Sequence, residues 1–143
     1  MSALAYLHLS PEQPLPELGG APFRAVVVIE EIVADEWQHA VSAWLVEGGC
    51  LYMVAWGRDC SSWDDSVDWA NLETFDFGEI PDDRFVMTTW HADETLAEVF
   101  WFAGHCAFHG DVDLERTLIV HIAAQARGDV LLAAYREAQF MEA

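Results

Sequence analysis

Hydrophobic positions along the 143-residue chain follow two periods in turn. Ala25-Val26-Val27-Val28-Ile29 is a continuous apolar run. A strand with one wet face would alternate, so this run predicts a strand buried on both faces of a parallel sheet. Trp37, Ala40, Val41, Trp44 and Leu45 then recur at the spacing of one helical face, with Asp35 as the cap and Gly48-Gly49 as the stop. The same logic repeats. Leu51 to Trp56 reads as a second strand, and Ser61 or Ser62 opens a short helix through Trp63, Val67 and Ala70. A loop from about Glu73 to Arg84, broken by Gly78 and Pro81, leads to a third strand from Phe85 to Trp90. Asp93 caps a third helix that runs to about His109 and ends at Gly110. Thr117 to Ala123 forms the fourth strand, and Gly128-Asp129 starts the last helix.

Strands alternating with helices predict a single three-layer α/β domain, with a four-stranded, mainly parallel sheet and helices on both faces. Economical right-handed crossovers give the strand order 2-1-3-4, which puts a crevice beyond the carboxyl ends of strands one and three. The domain covers residues 24–143. Before it, residues 1–23 read as an N-terminal arm: a short apolar stretch from Leu4 to Leu9, then Pro11, Pro14, Pro16, Gly19, Gly20 and Pro22, which sustain neither a helix nor a central strand.

Charge narrows the partners. The chain has 25 acidic residues, six arginines and no lysine, a formal net charge of −19. Such a surface repels phosphate backbones and anionic lipid, which argues against nucleic acid and membrane surfaces and favours a basic protein. The start of the chain has no basic, apolar leader and no run is long enough to span a bilayer, so the expected compartment is the cytoplasm. Cys50, Cys60 and Cys106 form no CxxC pair and no even framework, and read as buried reduced thiols. No cofactor is indicated.

The predicted crevice collects Glu30 and Glu31 from strand one, Asp59 after strand two and His91 after strand three. Carboxylates beside a histidine suit acid–base work or a divalent metal. The competing reading is ordinary polar residues where strands meet loops. The turn after strand one has no glycine and three acids, unlike a phosphate cradle. Its acidic pair resembles that of response-regulator receivers, but strand three ends in Trp90-His91 and lysine is absent, so phosphotransfer is not expected. His105 and His109, four apart on the third helix, could face one metal ion, although Cys106 stands where an HExxH pattern needs Glu. His121, inside an apolar strand, reads as a hydrogen-bonded core histidine.

Residues 59–83 hold nine acids and no base, with Trp63, Trp69, Phe75 and Phe77 interleaved. This is either a solvated helix and loop with inward-packed aromatics or an electrostatic landing patch centred on Asp64, Asp65 and Asp68. On the third helix, Leu96, Val99, Phe100, Ala103, Cys106 and Ala107 define a core face at about 100° per residue. Glu94, Glu98, Trp101 and His105 fall opposite. A tryptophan among polar residues on an outward face is the type that anchors interfaces, unless another segment of the chain covers it.

Trp90-His91-Ala92-Asp93-Glu94, Val99-Phe100-Trp101-Phe102 and Thr117-Leu118-Ile119-Val120-His121-Ile122 resemble a family of small acidic bacterial proteins of unknown function, over most of residues 24–137. The resemblance implies one α/β domain and a bacterial origin and transfers no site residues. The function expected is a non-catalytic acidic protein-binding module, of immunity type or regulatory, that neutralises a basic partner; self-association is another use of such a surface. The alternative is a small enzyme or metal-dependent binder using the crevice at Glu30, Glu31, Asp59 and His91.

Overall fold

The computed structural model describes residues 3–142. In chain order the elements are β1 (Ala3–Leu9), β2 (Phe23–Ile29), α1 (Asp35–Glu47), β3 (Cys50–Gly57), α2 (Cys60–Thr74), a short 3₁₀ turn at Asp82–Arg84, β4 (Met87–His91), α3 (Leu96–His105), β5 (Arg116–Ile122) and α4 (Gly128–Ala138). They form one α/β domain around a parallel sheet of order β1-β5-β2-β3-β4.

Every residue of β2 is buried, as its unbroken apolar run requires. Ala25, Val27 and Ile29 pack with Trp37, Val41 and Leu45 of α1 and Trp63 and Val67 of α2. Val26 and Val28 point to the other face, toward Val99, Phe100 and Ala103 of α3 and Leu131 and Tyr135 of α4. Fully burying side chains of this size contributes about 1.5–3 kcal/mol each, so this double-sided core dominates the stability.

The expected strand count and order are corrected. The sheet has five strands among the described residues, because Ala3–Leu9, read as part of the arm, pairs in register with β5, Leu9 opposite Ile122. Residues 10–22 then cross α1, where the Trp37 indole donates to the Gln13 carbonyl (3.0 Å) and Leu15 and Leu18 pack on the core. The order 2-1-3-4 also fails: the third predicted strand, β4, is an edge, and the fourth, β5, lies beside β2. Thr88 and Thr89 explain this, since β4 is half exposed along its length, whereas β5 is apolar enough to be covered on both sides. The reversal point therefore lies between β2 and β5.

Helix ends shift as well. Asp35 is the first residue of α1 rather than its cap. Thr95, not Asp93, caps α3 by accepting from the Glu98 amide (3.1 Å), and α3 stops at His105. Cys106 consequently leaves the core stripe and is exposed, while Cys50 and Cys60 are buried; burial pushes the Cys50 thiol up to about 12.

Two structural details hold the ends of the central strands. Gly57 closes β3 at φ +112°, with its amide neighbour Arg58 donating to the Ile29 carbonyl (2.9 Å). At the opposite end, the buried Arg24 guanidinium donates to the Ala107 carbonyl (2.8 Å) and to Thr117 Oγ1 (2.9 Å).

Candidate functional site

At the carboxyl ends of β2 and β3 lies an open crevice of about 740 Å³, where ligands collect in sheets of this kind. Val28, Ile29, Trp56, Leu96, Val130, Leu131 and Ala134 supply apolar walls, and Glu30, Arg58, Glu94 and Arg127 the charges.

Glu30 is held by a closed ring of hydrogen bonds. The Arg127 amide donates to the Tyr6 hydroxyl (3.0 Å), which is hydrogen-bonded to His121 Nδ1 (2.7 Å). His121 Nε2 donates to Glu30 Oε2, which also accepts from the Arg127 guanidinium (2.6 Å). The fully buried His121 ring thus has a partner at each nitrogen, the Tyr6 hydroxyl at Nδ1 and the Glu30 carboxylate at Nε2. Burial works to raise the pKa of Glu30, but the hydrogen bonds from His121 and Arg127 and their charges outweigh it and hold the carboxyl below its ordinary value. A base poised for proton transfer needs the opposite shift, toward neutrality. The arrangement suits a fixed carboxylate that binds rather than one that shuttles protons.

The four crevice residues expected from sequence do not converge. Glu30 occupies the ring, and Glu31 is exposed beside it. Asp59, in left-handed conformation at φ +54°, accepts from the Ser62 hydroxyl (2.9 Å) before α2. His91 lies across the intervening β3, bonded to Glu94 and to Thr89 (3.0 Å), with its ring against Phe102. Tyr6, His121 and Arg127 were missed as partners of Glu30. His121 carried the one usable signal, a lone polar residue in an apolar run.

The histidine pair is also separated. His105, at the end of α3, bonds the Gln139 carbonyl (3.0 Å), while His109, beyond the helix, bonds the Phe85 carbonyl (2.8 Å). Among the described residues no group of three or more His, Cys, Asp or Glu is arranged to hold a metal ion.

A second surface runs along α2 and the β4 edge. Trp63 is buried, but Trp69 and Phe77 are more than half exposed and meet edge-on at 5.0 Å. Met87 and Trp90 of β4, and Phe85 just before it, are exposed. Buried Asn71 ties the two elements together, accepting from the Val86 amide (2.9 Å) and donating to the Arg84 carbonyl (3.2 Å). Asp64, Asp65 and Asp68 line α2 here, and a groove of about 420 Å³ runs between Asp68, Leu72, Ile80, Phe85 and Met87. The second group of expected contact residues lies apart: Trp101 and Glu98 are on α3, across the sheet from α2. Trp101 is half-buried and stacks on the His105 ring at 4.7 Å, beside Met141 and Glu142.

Asp68 gives this acidic surface a measurable cost. Partial burial raises its pKa, as do Asp64 and Asp65, against the lowering effect of the Thr88 hydroxyl donating to it (2.8 Å). A raised acid costs stability at neutral pH, and the cost appears as pH climbs from the ordinary aspartate range through the folded-state value. Asp68→Asn keeps an oxygen for Thr88 and is expected to melt at a higher temperature than the parent at pH 7. The two melting temperatures should converge below about pH 3, where the aspartate is protonated in both states.

No curated protein and no solved structure matches the chain. A family model does match, over residues 4–138, from within β1 to the end of α4. No helix among the described residues is long and apolar enough to cross a membrane. By the extent of that match, the chain belongs to the family described as a domain of unknown function (DUF7684).

Proposed function

We propose that the chain is a non-catalytic acidic protein-binding module, an immunity-type or regulatory protein of the bacterial cytoplasm, which neutralises a basic partner along its α2–β4 edge. The observation that supports this reading is the coincidence of an open strand edge, exposed Phe85, Met87 and Trp90, and the acids of α2 on one flank of the sheet. An edge strand offers unpaired amides and carbonyls to an incoming strand, apolar side chains supply anchors, and the acids select a cationic one. Two copies of a chain carrying −19 would meet as like charges, which disfavours self-pairing. Free thiols fit a reducing compartment.

A strand-forming peptide of alternating arginine and valine tests the reading. Its association rate should fall steeply as salt shortens the screening length to about 8 Å and below, with little change in dissociation. Trp90→Ala should weaken binding by about 2 kcal/mol. The same peptide with alternate prolines, equally charged but unable to add a strand, should not bind. A rate flat in salt, or equal binding of the proline peptide, removes the proposal.

A further inference from the structure

The crevice has charges that its own residues leave unspent. Glu30 lines the cavity; its Oε2 accepts two hydrogen bonds, whereas Oε1 makes none with the described residues. Arg58 is exposed, lines the same cavity and makes no ion pair with any described residue. These two groups follow the last paired residues of adjacent strands, Ile29 opposite Gly57, and the Arg58 amide is fixed on the Ile29 carbonyl. They are therefore neighbours, yet Glu30 pairs with Arg127 instead.

The formal charges around the cavity cancel, Glu30 and Glu94 against Arg58 and Arg127. A simple anion would meet two carboxylates and a simple cation two guanidiniums. A molecule carrying both charges close together meets neither penalty. The walls beside them, Val28, Trp56, Leu96 and Leu131, are apolar and wide enough for a large side chain. From this geometry we propose that the crevice binds a small zwitterion with an apolar body, the chemistry of hydrophobic amino acids and their dipeptides, its ammonium on Glu30 Oε1 and its carboxylate on Arg58. The site lies at the carboxyl ends of the central strands and does not depend on the protein-binding reading of the β4 edge.

Titration calorimetry on the full chain with L-leucine, L-phenylalanine and L-leucyl-L-leucine is the test. At least one should bind, and the dipeptide against the free amino acids decides the length of ligand the crevice prefers. For the best binder, N-acetylation or conversion of its carboxylate to the amide should each weaken binding at least tenfold. Arg58→Ala, at an exposed position that should not affect folding, should weaken the zwitterion at least tenfold while leaving the amide derivative's affinity unchanged. Glu30→Gln, checked for an intact fold by circular dichroism, should do the same with respect to N-acetylation. The proposal is overturned if none of the three probes binds up to its solubility limit, if the acetylated or amidated compounds bind as tightly as the parents, or if Arg58→Ala binds the zwitterion unchanged.

Discussion

Replacing Gly57 with alanine is expected to lower the unfolding free energy by about 4 kcal/mol or more, an exceptional cost for adding one methyl group. Two effects act together. At φ +112° a residue with a β-carbon is strained by roughly 1–3 kcal/mol. A methyl group would also stand 2.1 Å from the Ile29 carbonyl oxygen and 2.9 Å from its carbon, both of them main-chain atoms at the carboxyl ends of two central strands. Neither can yield without parting β2 from β3, the pair on which both core layers rest. Since domains of this size are stable by only about 5–15 kcal/mol, the variant should lose a large part of its stability. Chemical denaturation should show a much lower midpoint; a midpoint within error of the parent would mean that the strand ends relax more freely than their register implies.

Arg24→Ala is expected to cost about 3 kcal/mol. Its guanidinium is buried with no carboxylate among its hydrogen-bond partners, and that burial lowers its pKa. Removing the side chain relieves a desolvated charge, which favours the variant. It also opens a cavity and strips the Ala107 carbonyl and the Thr117 hydroxyl of their donor, and those losses are the larger. Arg24→Met fills most of the same volume while discarding the charge, so it should cost less than half as much as alanine. Equal destabilisation by the two substitutions would show that the hydrogen bonds, and not the filled volume, hold the 106–108 turn against β5.

Much of the fold was legible because the patterns were strong. The apolar run of β2 had only one comfortable location, and the period of α1 from Trp37 to Leu45 left one face to bury. What escaped depended on competition between segments. The order of strands turned on β4 being the more polar of two candidates for the place beside β2, visible in Thr88-Thr89 only when set against Leu118–Ile122. The proline-rich stretch after Leu9 disguised the short β1, because its helix-breaking residues say nothing about the residues before them. The candidate site was half readable. Glu30 sits where a strand end predicts a ligand-facing carboxylate, but its partners arrive from β1, β5 and the turn before α4, and no local spacing links Tyr6, His121 and Arg127. Charge was readable as a total, whereas its division between the α2 edge and the far side of the sheet required the topology.

The pairing of β1 with β5 makes the order of the crevice depend on the longest-range strand contact of the sheet. β1 precedes the other strands in chain order, yet its partner is β5, which follows them all. Joining such distant segments carries a loop-closure cost that local helices avoid. Tyr6 rides on that strand, and its hydroxyl completes the ring that orients His121 and Glu30. Tyr6 and His121 are thus brought together by the pairing of β1 with β5, whereas Glu30 stands at the end of β2. The carboxylate of the crevice is therefore oriented by the pairing of the two most sequence-distant strands of the sheet.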